Sequence, residues 1–159
     1  MTEDCHQPMN LILWRHAEAH EGYPDMARTL TAKGEKQAQK MAAWLKPRLP
    51  ADTLVLVSPA ARTQQTALAL AAEFTTLDTL APGASAQALL QACNWPHAKK
   101  TIVVVGHQPT LGMAAALALT GRADGWSVKK GAVWWLTHRA RDTDRQTVLR
   151  AVLSPELVD

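Results

Sequence analysis

The sequence predicts an α/β fold, a three-layer sandwich with a mostly parallel central sheet, helices on both faces and a C-terminal antiparallel hairpin. Two observations lead to this prediction. Short apolar strands alternate with helical stretches through about residue 120, and a polar turn joins the last two strand-like segments. The early strands are apolar at nearly every position, which is typical of parallel strands that are buried on both faces.

Each element follows from its local pattern. Helices are predicted where apolar residues recur at helical spacing and where Pro or Gly ends the pattern. Ser58 is predicted to cap the second helix, with Pro59 in its first position, and Gly121 to end the last one. The predicted helices are Thr31–Leu45, Ala60–Glu73, Ser85–Cys93 and Thr110–Leu119. The predicted strands are Leu11–Trp14, Thr53–Val57, a short edge strand at Thr75–Leu80, Thr101–Val105, and the hairpin strands Ala132–Thr137 and Gln146–Leu153.

Length and composition indicate a single globular domain over residues 1–159, with a core at about 10–153. Hydrophobic residues make up 47% of the 159 residues and charged residues 19%, which excludes a disordered chain. The net charge of +3 is scattered, with lysine pairs only at Lys99/Lys100 and Lys129/Lys130. A nucleic-acid partner is therefore not expected, and no apolar stretch reaches the ~18 residues that span a membrane.

Cysteine usage and the first residues indicate the compartment. Cys5 and Cys93 form no CxxC motif, and we expect both to be unreactive thiols. The opening residues are acidic and polar, unlike a secretory signal. We therefore expect a cytoplasmic protein, and we expect it to be a monomer.

Polar clusters follow three of the predicted strands. Arg15-His16 follows the first, Ser58–Arg62 the second and Gly106-His107 the fourth. Because ligands of such sheets bind beyond the carboxyl ends of the strands, we expect these clusters to converge. The planar guanidinium of arginine suits phosphate oxygens, and a neutral histidine can attack phosphorus. The clusters therefore favour phosphoryl transfer, although each residue taken alone is more often a solvated loop side chain.

The loop after the first strand offers two further interpretations. His16, Glu18 and His20 could be interpreted as a metal-binding cluster. Their spacing, however, does not place two histidines on one face of a helix, as a helical metal site requires. We therefore expect neither metal nor cofactor. Glu18 is a candidate acid near the nucleophile, although a solvated loop carboxylate is the more ordinary interpretation. The same two interpretations apply to Glu21 and Asp25.

Four ordered motifs resemble the histidine phosphatase superfamily, whose fold is phosphoglycerate-mutase-like. They are Leu-Ile-Leu-Trp-Arg15-His16-Ala17, Leu30-Thr31-x-x-Gly34, Val57-Ser58-Pro59-x-x-Arg62-x-x-Gln65-Thr66-Ala67 and Val105-Gly106-His107. The short chain, Arg-His-Ala in place of Arg-His-Gly, and the segments Gly106–Leu111 and Lys130–Ala132 resemble its SixA-type phosphohistidine phosphatase branch. This resemblance covers about residues 10–137. It implies that His16 is the nucleophile, that Arg15 and Arg62 bind the phosphoryl group, that His107 is the second catalytic histidine, and that Arg28 is a further substrate-binding residue.

The chain departs from the superfamily pattern in one chemically important respect. Larger members carry a general acid where this chain has Leu80–Gln87, a stretch without a carboxylate. The resemblance therefore implies a metal-independent phosphohistidine phosphatase, with a phosphorylated histidine-containing signalling or phosphotransfer protein as partner. The alternatives are a small-molecule phosphomonoesterase of the same superfamily and a weakly catalytic phosphohistidine- or phosphate-binding module.

Overall fold

The computed structural model describes residues 7–141 and 144–159, which form one six-stranded sheet with helices on both faces. The predicted fold class is therefore confirmed. The strands are β1 (Met9–Arg15), β2 (Leu54–Val57), β3 (Thr75–Thr76), β4 (Thr101–Gly106), β5 (Val133–Arg141) and β6 (Asp144–Leu153). The helices are α1 (Ala32–Leu45), α2 (Ala61–Leu68), α3 (Ala86–Ala92) and α4 (Thr110–Thr120).

The sheet has the strand order β3-β2-β4-β1-β5-β6. β1 pairs in parallel with β4, and β2 pairs in parallel with both β3 and β4. β5 pairs antiparallel with β1 and with β6, so the C-terminal hairpin extends the sheet beyond β1. This order places β1 and β4 at the centre, with their carboxyl ends at the same edge.

Side-chain alternation along the central strands divides the core into two layers. Leu11 and Leu13 pack on one face with residues of α3 and α4, whereas Ile12 and Trp14 pack on the other with residues of α1 and α2. Because successive side chains of a strand point to opposite faces, an uninterrupted apolar run serves both layers. Adjacent Trp134 and Trp135 also divide between the two faces, as their succession in a strand predicts.

Several local predictions need correction. α2 begins after Ala60 and ends at Leu68 rather than Glu73, and Ser58 does not cap it, because its hydroxyl forms a hydrogen bond with the His107 ring instead. The strand predicted at Thr75–Leu80 is only the two residues of β3, and the hairpin strands are longer than predicted. The end of α4 at Gly121, which has a left-handed backbone with φ of 82°, agrees with the prediction.

The structure describes one of the two cysteines and the lengths of the helices. Cys93 is buried, and burial raises the pKa of its thiol to about 12, whereas Cys5 lies outside the described residues. Among the described helices, none has the length and apolar character needed to cross a bilayer.

Candidate active site

The carboxyl ends of β1, β2 and β4 bring the three polar clusters together. Arg15 lies opposite Gly106 in the β1–β4 pairing, and the backbone N–H of His16 donates to the Gly106 carbonyl at 3.2 Å. The N–H of Ser58 donates to the carbonyl of Val105 at 3.1 Å. The ring centroids of His16 and His107 are consequently 5.4 Å apart.

Backbone contacts fix the orientation of the His16 ring. Its Nδ1 lies 2.7 Å from the Ala17 carbonyl oxygen. Because a carbonyl only accepts hydrogen bonds, Nδ1 carries the proton and Nε2 keeps its lone pair. Burial, together with the charges of Arg62 and Arg15, lowers the pKa of His16 to about 4. The ring is therefore neutral at pH 7 and presents a nucleophilic nitrogen.

His107 is held in the opposite tautomer. Its Nδ1 lies 3.4 Å from Nη2 of Arg62, which can only donate, so Nε2 carries the proton and donates to the Ser58 Oγ at 2.7 Å. Burial and the Arg62 charge lower the pKa of His107 to about 3. Ser58 is a positioning residue that the motif pattern alone did not distinguish from a helix cap.

Two arginines surround the histidines. Arg62 is 4% exposed, and its Nε donates to Nε2 of His16 at 3.4 Å. Arg15 donates from Nη1 to the Val128 carbonyl at 2.9 Å, and its Nε is buried with no hydrogen-bond partner in the part of the chain that the structure describes. Burial and the neighbouring Arg62 charge lower the pKa of Arg15. A buried cation and a half-buried one whose pKa it lowers favour an anion between them.

The loop between β1 and α1 adds a carboxylate to this site. Arg62 donates to the backbone carbonyl of Asp25 at 2.8 Å and to its carboxylate Oδ2 at 3.1 Å. Arg28 donates to the same carboxylate, at Oδ1, at 3.0 Å, and to the His20 carbonyl at 2.7 Å. The hydrogen bonds from these two arginines hold the pKa of Asp25 below its usual value. Arg28 thus reaches the site through Asp25.

Glu18 does not share this arrangement. Its carboxylate accepts a hydrogen bond from the Thr31 hydroxyl at 2.8 Å, at the start of α1. Its backbone carbonyl lies so close to Gly34 that a Cβ at that position would overlap it. The structure therefore explains Leu30-Thr31-x-x-Gly34 as the motif that packs α1 against the loop carrying His16. The carboxylate that contacts a site arginine is Asp25 instead.

The residues Gln65 and Thr66 of α2 have a similar positional role. Gln65 accepts through Oε1 from the backbone N–H of Leu30 at 2.7 Å, and Thr66 accepts through Oγ1 from the N–H of Ala17 at 3.1 Å. The Thr66 hydroxyl also donates to the Arg62 carbonyl at 2.8 Å. These residues attach the His16 loop to the helix that carries Arg62, so both sides of the site are fixed to one element.

The spacing of His16, Glu18 and His20 also admits a metal centre as an interpretation. Within residues 7–141 and 144–159, no group of three or more His, Cys, Asp or Glu side chains is arranged to hold an ion. The contacts of His16 and Glu18 described above account for both side chains in other ways.

Comparison with known families agrees with this geometry. A family model described as histidine phosphatase superfamily (branch 1) matches residues 11–82, the segment that contains Arg15, His16, Arg28 and Arg62. The resemblance to the histidine phosphatase superfamily is confirmed. His107 lies beyond the matched segment, and its place beside His16 comes from the fold.

Solved structures similar to this chain include histidine phosphatases over nearly its whole length. The protein histidine phosphatase SixA complexed with tungstate is 26% identical with a TM-score of 0.75, covering 94% of this chain and 99% of its own. A candidate phosphohistidine phosphatase SixA from Nakamurella multipartitia is 28% identical with a TM-score of 0.73, covering 93% of this chain and 96% of its own. The predicted resemblance to the SixA branch is thereby supported by fold and sequence together.

More distant structures share the fold alone. A mutant phosphoserine phosphatase from Entamoeba histolytica in complex with phosphoserine is 20% identical with a TM-score of 0.66, covering 93% of this chain and 98% of its own. No curated protein matches the chain. The phosphoglycerate-mutase-like fold therefore accommodates several phosphatase substrates, and the residues of the site must distinguish among them.

Proposed function

We propose that this chain is a phosphohistidine phosphatase that acts through a covalent phosphohistidine intermediate on His16. The observation that carries the proposal is the buried Nε–H of Arg15, which has no hydrogen-bond partner among the described residues and directly precedes a neutral His16 whose Nε2 faces Arg62. Buried donors are rarely left unsatisfied, and a phosphoryl oxygen is the acceptor that chemistry at His16 would supply. The similarity to SixA proteins above 25% identity supports the same conclusion.

In the first step, Nε2 of His16 attacks phosphorus in line, and the phosphorus–nitrogen bond of the substrate breaks. The leaving ring takes the electron pair of that bond. Its distal nitrogen is protonated from solvent near the ordinary imidazole pKa of ~6.5, so it leaves as a neutral imidazole. Arg15 and Arg62 bind the phosphoryl oxygens, whose charge spreads during the transfer. His107 joins them as the tautomer with the proton on Nδ1, in which the Ser58 hydroxyl donates to Nε2 instead of accepting from it.

In the second step, water attacks the phosphorus of phosphorylated His16, and inorganic phosphate is released. The Ala17 carbonyl keeps a proton on Nδ1 of His16. His16 therefore also leaves as a neutral imidazole when its Nε2–phosphorus bond breaks. Neither step requires a placed acid on the enzyme, and the arginines supply positive charge without a metal ion.

The state of Asp25 supports a phosphohistidine substrate over an alkyl phosphate. An alkyl phosphate expels an oxygen whose conjugate acid has a pKa of about 15.7, near that of water, so it needs a proton from a placed acid. The carboxylate that touches Arg62 is Asp25, and its lowered pKa keeps it ionised at neutral pH. An ionised carboxylate is a poor proton donor, which disfavours alkyl esters as substrates.

We further propose that the substrate is a phosphorylated histidine-containing signalling or phosphotransfer protein, that the reaction takes place in the cytoplasm, and that the enzyme acts as a monomer. The buried thiol of Cys93 is compatible with a reducing compartment, because its raised pKa keeps it in the unreactive thiol form.

A substrate comparison at one pH tests the proposal. We expect kcat/KM to decrease from a phosphohistidine protein to p-nitrophenyl phosphate and to be least for a sugar phosphate. Efficient hydrolysis of the sugar phosphate would instead identify a small-molecule phosphomonoesterase with a hidden acid. Phosphate binding without turnover of any substrate would identify a binding module.

A further inference from the structure

The two lysine pairs of the sequence lie at opposite edges of the sheet. Lys99 and Lys100 come directly before β4, and the Lys100 carbonyl accepts from the N–H of Asn10 at the amino end of β1. Lys129 and Lys130 come just before β5, which is antiparallel to β1 and therefore begins at the active-site edge. All four side chains are exposed.

The turn that carries Lys129 and Lys130 is attached to the catalytic strand itself. The Val128 carbonyl accepts from Nη1 of Arg15 at 2.9 Å, and the N–H of Gly131 donates to the His16 carbonyl at 3.0 Å. The backbone on both sides of the lysine pair therefore contacts the two residues at the end of β1. The lysine side chains project into solvent at the margin of the active site.

Helix α1 continues this positive surface. Lys33, Lys36 and Lys40 are exposed and line one groove, in which Glu156 is the single acidic residue. Gln37, in the same groove, adjoins Gly131, since a Cβ built on that glycine would lie 3.6 Å from the Gln37 Cβ. The helix face and the turn are thus neighbours.

We call this surface the basic rim, defined as Lys33, Lys36, Lys40, Lys129 and Lys130. The salt bridges found among the described residues join Arg28 and Arg62 to Asp25, and Arg122 to Asp124, and include none of these lysines. The rim therefore has five lysines and, in its groove, the one carboxylate of Glu156, which leaves a net positive charge beside the site, where a substrate protein must approach.

We propose that the basic rim binds an acidic surface surrounding the phosphohistidine of the substrate protein. The inference rests on the proposed function and names the kind of partner that the site accepts. A small phosphorylated molecule needs contact only with residues such as His16, Arg62 and His107, whereas a folded domain also covers the margin. Complementary charge at that margin chiefly accelerates association, by about 10- to 1,000-fold at low salt.

Paired charge reversals test this inference with a control inside the same chain. K129E/K130E reverses the pair at the active-site edge, and K99E/K100E makes the same charge change at the opposite edge. The substrates are an acidic histidine-containing phosphotransfer domain in its phosphorylated form and, as the small probe, phosphoramidate. For K129E/K130E at low salt, we expect kcat/KM for the domain to fall by at least tenfold and kcat/KM for phosphoramidate to stay within about twofold.

Two further results are expected if the rim is a docking surface. K99E/K100E should leave kcat/KM for both substrates within about twofold of the wild type, and raising the salt concentration should reduce the difference between wild type and K129E/K130E, because salt screens exposed charges. Adding K36E to K129E/K130E should lower kcat/KM for the domain further.

Other outcomes would overturn the inference in distinguishable ways. Equal losses from the two paired variants would show an effect of net charge alone. A loss for phosphoramidate as large as the loss for the domain would show a disturbed active site. An unchanged kcat/KM for the domain in K129E/K130E would remove the rim from docking while leaving the proposed function intact. A wild-type enzyme that hydrolyses phosphoramidate but no phosphohistidine domain would refute both proposals.

Discussion

Arg62 donates from its two terminal nitrogens to the backbone carbonyl and the carboxylate of a single residue, Asp25. The loop after β1 therefore covers the outer edge of the arginine whose inner edge faces His16 and His107. Asp25 occupies hydrogen-bonding capacity that a phosphoryl group would also use. The carboxylate is half-exposed, so an incoming dianion can displace it without leaving a buried charge unpaired.

Asp25→Asn should therefore increase the affinity for phosphate. The substitution removes a charge that competes for Arg62. An ion pair whose carboxylate is half-exposed contributes up to about 1 kcal/mol, which corresponds to roughly fivefold. Competitive inhibition of p-nitrophenyl phosphate hydrolysis by inorganic phosphate measures the effect, with Glu21→Gln on the same loop as the control. Weaker inhibition in Asp25→Asn would show that Asp25 orients Arg62 instead of competing for it.

His16→Ala should abolish turnover while the protein stays folded, because the side chain lies at the edge of the sheet and not in either core layer. The wild type, quenched in alkali after reaction with a labelled substrate, should carry acid-labile phosphate on His16. Circular dichroism controls for folding of the variant. Label on His107, or appreciable activity in His16→Ala, would show that the assignment of the nucleophile is wrong.

Arg62→Lys keeps the positive charge but removes the planar, bidentate donor. We expect kcat/KM to fall roughly 30- to 1,000-fold, equivalent to about 2–4 kcal/mol for the loss of one transition-state donor. Steady-state kinetics with a phosphohistidine protein measures this change. Arg122→Lys is the matched control, because Arg122 is an exposed arginine in a salt bridge with Asp124. A fall of less than tenfold would place Arg62 outside the reaction.

Gly34→Ala should destabilise the fold through the close approach of α1 to the Glu18 carbonyl. An added Cβ overlaps that oxygen, so the helix or the loop must move, at a cost of roughly 1–3 kcal/mol. Denaturant unfolding measures the loss. Gly125→Ala is the control, because no atom lies within 4 Å of a Cβ at that position. Equal stability of the two variants would contradict this explanation of the motif.

The two buried histidines should make stability depend on pH. The pKa of His107 is lowered to about 3 in the folded protein, against ~6.5 when unfolded, so the unfolded chain binds more protons between these values. The stabilisation from neutral His107 is thus complete above about pH 6.5 and declines as the pH falls toward 3. The slope for one proton is at most about 1.4 kcal/mol per pH unit.

The comparison with His107→Asn isolates this contribution, because the other titrating groups are common to both proteins. The free energy of unfolding of the wild type should fall more steeply with acidification than that of the variant. Parallel pH profiles would show that folding does not lower the pKa of His107.

Much of the fold could be predicted from the sequence because its determinants are local. An apolar run such as Leu11–Trp14 places side chains on both faces of a buried strand, whichever strands pair with it. Pro and Gly residues mark where the helices end. Ligands of a parallel sheet bind beyond the carboxyl ends of its strands, and Arg15, His16, Arg62 and His107 all follow such strand ends. Residue order and residue chemistry thus indicated the architecture and led to the prediction of phosphoryl transfer at this margin.

The tertiary structure decided what depends on contacts between distant segments. The sequence of residues 69–73 favours a longer α2, but the chain must turn back at Leu68 so that Thr75 can pair with Leu56 in the sheet. The position of Ser58 in the sequence predicts a helix cap. In the structure the neighbouring strand places His107 2.7 Å from the Ser58 hydroxyl, which therefore bonds to the ring instead. Asp25 is predicted from the sequence as a solvated loop carboxylate, yet it accepts a hydrogen bond from Arg62, 37 residues further along the chain. Sequence spacing does not show how a long loop folds over a distant helix. Local patterns determine which elements form, whereas the partner of a polar side chain depends on how those elements pack.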